Sequence, residues 1–108
     1  MTKQPLIEAL SHYCQSQGVE IFDVFSKTRK EPYRTMRHNI YFVLKVSFDM
    51  TYQAIADITT NEGDTPVDHA TVMNGVRRVS DHLIYDDTAS SVNYLRQYLL
   101  DRVLMESE

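Results

Sequence analysis

Two apolar stripes separated by a polar segment, between residues 50 and 83, constrain the fold more than any other feature of this chain. The second stripe recurs at the spacing of one α-helical face and consists of Val72, Val76, Val79 and Leu83. Thr65 can cap this helix, Pro66 suits its first position because a proline there forfeits no helical hydrogen bond, and Asp68 completes a capping pattern. The stretch predicts two short helices joined by a turn, the second with a buried back and a polar first turn.

The first helix of this pair is predicted over residues 51–58, with Thr51 or Asp49 as its cap. Apolar spacing predicts four more helices, over residues 5–17, 19–25, 33–48 and 90–105. Gly18 is a natural stop for the first of them, and Cys14 within it is expected to be a small buried apolar side chain. At 108 residues the chain suits one domain. We expect an all-α, compact single-domain bundle of about six helices.

Composition excludes several classes of protein. With 43% apolar and 24% charged residues the chain is typical of globular proteins and not of disordered ones. One cysteine excludes an intramolecular disulfide and fits a reducing compartment. No run of about 20 apolar residues and no signal-peptide pattern is present, so we expect a cytoplasmic protein without a membrane partner.

The charge of the chain is unevenly distributed. The formal net charge is −4, yet residues 26–45 carry a single acid and six bases, namely Lys27, Arg29, Lys30, Arg34, Arg37 and Lys45. Binding to phosphate depends on the local field at the contact surface more than on the net charge. This segment predicts either an anion-binding surface or an ordinary solvated basic face.

Three motifs in order resemble one known family. Asp68-His69-Ala70-Thr71-Val72 resembles the Asp-His-Thr-Thr-Val signature in the C-terminal DNA-binding domain of DnaA, the bacterial replication initiator. Residues 25–30, Phe-Ser-Lys-Thr-Arg-Lys, are similar to the Leu-Ser-Lys-Arg-Arg basic loop of that family. Residues 51–56, Thr-Tyr-Gln-Ala-Ile-Ala, fall where the family has Ser-Leu-x-Glu-Ile-Gly/Ala. The resemblance covers about residues 5–85 and implies a Trp-repressor-like helix-turn-helix domain. The helix that apolar spacing predicts over residues 90–105 is additional to it.

The resemblance implies two sets of DNA contacts. Base contacts would come from Asp68, His69, Ala70 and Thr71. Phosphate or minor-groove contacts would come from Lys27, Arg29, Lys30, Arg34, Arg37, Arg77 and Arg78. The chemistry suits a major groove, since a carboxylate accepts from cytosine N4, an imidazole donates to guanine and a methyl group contacts thymine.

Some positions depart from the family pattern. Val67 stands where the family has a base, and Ala70 stands where it has a threonine that contacts DNA. An ungapped alignment places Thr35 where the family has its principal minor-groove arginine. The connection over residues 59–65 is about five residues longer than the Gly-Gly turn of the family, and its two acids would repel nearby phosphates. The departures imply relaxed or altered sequence specificity and weaker binding.

The predicted last helix carries its own apolar stripe. It consists of Val92, Leu95, Leu99, Leu100, Val103 and Leu104, after a polar loop that includes Asp86 and Asp87. Docking on the core of the same chain is one interpretation, and a homodimer formed through this helix is the other.

Two functions follow from these patterns. One is sequence-preferring binding of double-stranded DNA, as in origin recognition or regulation by a stand-alone initiator-like domain from a bacterium, phage or mobile element. The alternative is a protein-interaction module that keeps the fold and has lost the ability to bind DNA. The four histidines lack the spacing of metal ligands, and no glycine-rich phosphate loop is present. We expect a protein that is not an enzyme and uses no cofactor, metal or nucleotide.

Overall fold

The computed structural model describes residues 4–107, with side chains for residues 4–105. Within this range the chain forms helices and no strand. The six helices are α1 (Gln4–Ser16), α2 (Ile21–Phe25), α3 (Tyr33–Val46), α4 (Tyr52–Gly63), α5 (His69–His82) and α6 (Asp86–Ser107). The predicted all-α bundle of about six helices is confirmed. None of these helices combines the length and the apolar character needed to cross a bilayer.

Helix α3 lies at the centre of the bundle, since it packs against α2, α4, α5 and α6. Its Ile40, Val43 and Leu44 are fully buried. The predicted stripe of α5 is buried from Val72 to Val79, and Leu83 packs on the same core. Burying each side chain of this kind stabilises the fold by roughly 1.5–3 kcal/mol. The α3–α5 contact therefore holds the functional face of the molecule in place.

Helix α6 packs along α1 and α3. The buried members of its predicted stripe are Val92, Leu95, Leu99 and Val103, as expected for a helix docked on the core of its own chain. Leu104 departs from that prediction, because it is 62% exposed although the neighbouring Val103 is buried.

The contact between α1 and α6 includes a cluster of tyrosines. The ring of Tyr13 lies 5.5 Å from that of Tyr98 and 6.3 Å from that of Tyr94, measured between centroids. Cys14 beside it is fully buried, and burial raises the pKa of its thiol to about 12. The thiol is therefore neutral at physiological pH, which fits the predicted role as a small apolar core residue.

The prediction of a loop over residues 59–65 was wrong, because α4 continues to Gly63. The polar side chains that suggested a loop are accommodated within the helix: Thr59 is buried and donates to the Ile55 carbonyl at 2.9 Å. Gly63 ends the helix against α2, where a Cβ atom would lie 2.2 Å from the carbonyl oxygen of Phe25. The turn that follows is therefore short and comprises residues 64–68.

The starts of two further helices test the predicted caps. Thr51 caps α4 as predicted, and its hydroxyl accepts from the Ala54 N–H at 3.0 Å. The placement of Asp86 and Asp87 in a loop was wrong, since both lie in the first turn of α6. Acids there interact favourably with the positive end of the helix dipole, and this extends the helix ahead of residue 90.

The remaining predicted ends differ by two residues at most. Helix α2 begins at Ile21 and not at Val19, and α3 ends at Val46 and not at Phe48. Gly18 follows α1 with a φ of +80°, a conformation that costs a glycine little.

Candidate nucleic-acid interface

Helix α5 begins one turn later than predicted. Thr65 does not cap it but donates from its hydroxyl to the Gly63 carbonyl at 3.2 Å, and Pro66 lies in the turn and not at the first helical position. The cap is Asp68, whose Oδ1 accepts from the Thr71 N–H at 2.9 Å and from the Thr71 hydroxyl at 3.0 Å. These bonds, led by the one from the backbone, lower the pKa of Asp68. The longer α4 is the physical reason, because it leaves Thr65 inside the turn.

The turn is attached to α4 by one side chain. The Thr60 hydroxyl accepts from the Val67 N–H at 3.0 Å. Val67, at the position where the family has a base, is half-buried and packs on the core. It contributes no charge to the surface and instead helps to set where α5 begins.

The four residues predicted to contact bases lie at the accessible start of α5. Asp68, His69 and Thr71 are exposed and Ala70 is half-buried. Because Asp68 and Thr71 bond to each other, His69 is the member of this set whose polar side-chain atoms make no hydrogen bond within residues 4–105.

Arg37 directs its guanidinium into the basic loop of residues 26–32 and not to solvent. Its Nη1 donates to the carbonyls of Val24 at 3.0 Å and Ser26 at 2.7 Å, and its Nη2 donates to that of Thr28 at 2.9 Å. Burial lowers the pKa of Arg37, but a guanidinium stays protonated at neutral pH. Three of the five N–H donors of this guanidinium are thus occupied by the chain's own carbonyls. We assign Arg37 the role of ordering the basic loop.

An open groove of about 590 Å³ runs between the basic loop and α5, and we call it the basic groove. Its cationic and polar lining includes Lys27, Arg29, Arg34, Arg37, Thr71, Asn74 and Arg78. Five of the predicted phosphate or minor-groove contacts and one predicted base contact are thereby brought together.

A second opening of about 460 Å³ adjoins the basic groove at the start of α5. Lys27 and Thr71 line both openings, and Asp68 lines the second. The basic loop and the first turn of α5 therefore lie on one side of the molecule, as simultaneous contact with one duplex requires.

Gly75 sets the depth of the basic groove. A Cβ atom at this position would lie 2.8 Å from Tyr41 Cδ2 and 3.0 Å from His38 Cδ2, so only glycine lets α5 approach α3 this closely. His38 is half-buried beneath the groove, and its pKa is lowered to about 4, first by burial and then by three neighbouring arginines. Its ring is therefore neutral at pH 7.

The cations of the basic groove form no salt bridge within residues 4–105, and Glu31, the acid just ahead of α3, lines an adjoining pocket and not the groove. No acidic residue lines the groove. Glu62 and Asp64, expected beside bound DNA, lie at the end of α4 and outside the lining of both openings. Apart from Arg37, no groove cation makes a side-chain hydrogen bond or salt bridge to residues 4–105. Like charges held together without counter-charges create a positive local field that attracts anions.

Several predicted or compared positions lie outside the basic groove. Among them are three of the four predicted base contacts, namely Asp68, His69 and Ala70. Lys30 and Arg77 are exposed and do not line it. Thr35 is bonded to Glu31: its N–H donates to Glu31 Oε1 at 3.0 Å and its hydroxyl donates to Oε2. The hydroxyl bond is the largest cause that lowers the pKa of Glu31. Thr35 therefore helps to begin α3 and offers no cation for a minor groove.

Asn74 is a candidate that sequence reasoning missed. It is exposed, lines the basic groove and makes no side-chain hydrogen bond within residues 4–105. Helical spacing in the sequence could have identified it, because Thr71, Asn74 and Arg78 follow the i, i+3, i+7 spacing of one helical face. An asparagine can pair with both the N6 and N7 atoms of adenine.

Comparisons of the chain with protein-family models, with curated proteins and with solved structures find no match. The likeness to the DnaA domain therefore stays a prediction from three short motifs. Among the described residues, no three histidine, cysteine, aspartate or glutamate side chains are grouped so that they could hold a metal ion.

Proposed function

We propose that the protein binds double-stranded DNA with sequence preference, as an initiator-like domain that recognises a replication origin or regulates replication or transcription in the cytoplasm. The observation that carries the proposal is the basic groove. Lys27, Arg29, Arg34 and Arg78 converge there without a salt bridge to any described residue, on the side of the molecule where α5 exposes its first turn. A phosphate backbone supplies the missing negative charge.

The residues divide into two roles in this proposal. Cations of the basic loop, α3 and α5 contact phosphates and thereby position the protein, and they are Lys27, Arg29, Lys30, Arg34, Arg77 and Arg78. Side chains along α5 read base edges. Near the start of the helix these are Ala70 and the hydrogen-bonded pair of Asp68 and Thr71. The polar side chains that make no hydrogen bond within residues 4–105 are those of His69 and Asn74. Arg37 acts indirectly, through the loop that it orders.

Fluorescence anisotropy with mixed-sequence duplexes tests the proposal. The logarithm of the affinity should fall linearly with the logarithm of the salt concentration, by roughly 0.9 per phosphate contacted. Reversing two charges in Arg29→Glu/Lys30→Glu should remove most binding. The matched control is Arg96→Glu/Arg102→Glu, which changes the net charge equally at exposed positions of α6 that lie outside the groove. Absence of wild-type binding at micromolar protein and low salt, or an equal loss in both variants, would contradict the proposal.

A protein-interaction module is the second candidate, and one observation favours it. Ile84 and Tyr85, adjacent between α5 and α6, are 80% and 57% exposed. Two adjacent exposed apolar side chains offer a point at which such a module would contact another protein. The same titration separates the candidates, since the module would not bind DNA. The homodimer through α6 stays a prediction, and sedimentation of Leu104→Ala against the wild type tests it.

A further inference from the structure

A narrower pocket continues from the basic groove towards α6. Arg34, His38 and Arg78 line both, and the pocket then passes between α3 and the end of α5 to Thr88 in the first turn of α6. Its volume is about 260 Å³, several times the roughly 30 Å³ that one water molecule occupies. We call it the inner pocket, and a small polar group with part of its hydration shell fits within it.

Asn39 lines the inner pocket with an amide that has no partner. Its side chain is 8% exposed and makes no hydrogen bond to residues 4–105. Because part of the side chain stays exposed in the pocket, water reaches the amide, and a bound ligand can contact the same atoms. The amide offers two N–H donors and one carbonyl acceptor.

The charges around the inner pocket favour an anion. Arg34 and Arg78 enter from α3 and α5, and neither side chain forms a salt bridge within residues 4–105. Glu31 is the one acid in the lining, and both of its oxygens accept bonds from Thr35. His38 adds no charge at neutral pH. The pocket therefore has two positive guanidinium groups and one carboxylate, whose oxygens already accept hydrogen bonds, and its net charge is positive.

We propose that the inner pocket binds a single phosphate group, held by the guanidinium groups of Arg34 and Arg78 and by donors from Asn39 and Thr88. Arginine suits this role because its planar N–H donors match phosphate oxygens in pairs. The inference extends the proposed function, since a DNA backbone is one source of the group. A free phosphate-bearing molecule is the other source, with the same chemistry at the pocket.

Inorganic phosphate is the probe for the pocket itself. Titration at constant ionic strength, followed by amide NMR, should give saturable shifts of the Asn39 side-chain amide and of the Thr88 backbone amide. Chloride at the same ionic strength should not. The double variant Asn39→Leu/Thr88→Val has no side-chain amide at position 39. Phosphate should no longer shift its backbone amide at position 88. This variant should also fold, because replacing an unpaired buried amide by an apolar group of similar size is close to neutral. The variant Arg96→Gln, at an exposed position of α6 outside every opening described above, is the matched control and should bind phosphate as the wild type does.

The outcomes separate this inference from the proposed function. A wild type without saturable shifts, or a double variant that binds phosphate normally, overturns the inner pocket whatever the duplex titration shows. Saturable shifts in a protein that binds no duplex support the pocket while the proposed function fails. If duplexes bind, a three- to tenfold loss of affinity in Asn39→Leu/Thr88→Val identifies the backbone as the source. Loss of phosphate binding with unchanged duplex affinity identifies a free phosphate compound.

Discussion

The two sides of α3 show opposite uses of helix packing. Towards α6, apolar side chains such as Leu95 and Leu99 fill the interface, and the tyrosine cluster lies beyond it, between α6 and α1. Towards α5, the two helices approach across Gly75, and cations that form no salt bridge within residues 4–105 surround the opening beside them. Both contacts bury apolar residues, yet only the second leaves a basic groove.

The residues that stabilise this small bundle and those proposed to bind DNA therefore lie in different parts of it. Uncompensated charge near the groove costs folding free energy, and the buried core on the other side of α3 offsets that cost. Variants should therefore separate into those that change unfolding and those that change affinity for DNA.

Leu99→Ala should show the largest effect. The side chain is fully buried in α6, and its truncation should lower the free energy of unfolding by about 2–5 kcal/mol, measured by urea denaturation. Leu104→Ala, 62% exposed on the same helix, is the control and should change it by under about 0.5 kcal/mol. The salt dependence of duplex binding should stay as in the wild type for both. A changed salt dependence in Leu99→Ala would break the separation of the two faces.

Arg37→Met should affect the groove without removing a phosphate contact. Loss of the three bonds to loop carbonyls should disorder the loop cations and weaken duplex binding about tenfold, or about 1.4 kcal/mol. The slope of log affinity against log salt should be unchanged. Arg29→Met, which removes a proposed contact, should instead make that slope shallower by about 0.9. If both variants alter the slope equally, Arg37 contacts phosphate itself.

His38 should make stability depend on pH in a defined window. Its folded pKa of about 4 lies below the ordinary 6.5, so between these values the unfolded chain binds more protons. Stability should therefore fall as the pH decreases from 6.5 to 4, by about 1–2 kcal/mol after allowance for the half-exposed ring. His38→Gln should flatten this part of the profile in urea titrations at several pH values. An unchanged profile would assign the dependence to another group.

Substitutions of Asp68 should have the smallest effect on stability. They test whether Asp68 only caps α5 or also contacts a base. Asparagine caps helices as well as aspartate does, so Asp68→Asn should keep the helix start, whereas Asp68→Ala should lower thermal stability slightly. If Asp68 acts only as a cap, Asp68→Asn should bind every duplex as the wild type does. A preference for different base pairs in Asp68→Asn, read by selection from a random duplex pool, would show that Asp68 also reads a base.

Local signals in the sequence predicted much of this structure. The stripe from Val72 to Val79, the cap at Thr51 and the stop at Gly18 follow from spacing and backbone preference alone, because each depends on neighbours within one or two turns. The end of α4 was predicted wrongly because a polar side chain there forms its hydrogen bond within the helix. Thr59 is the example, since its bond to the Ile55 carbonyl extends α4 through residues that look like a loop.

The candidate site was predicted as a set of residues and only partly as an arrangement. The motifs indicated the basic loop and the start of α5, but not that Arg37 turns inward or that Asn74 faces the groove. Which donor meets which carbonyl depends on where two distant segments pack, and no local pattern encodes that distance.

The sequence by itself determined six helices, their buried faces and a cluster of positive charge ahead of the third. Only the tertiary structure decided that this cluster lies beside α5, that its cations form no salt bridge to the described residues, and that Asn39 lines a pocket without a partner. The physical reason is the distance along the chain over which each kind of interaction acts. Helical periodicity acts between residues three or four apart, whereas a binding surface is made by side chains from helices that meet only when the core closes.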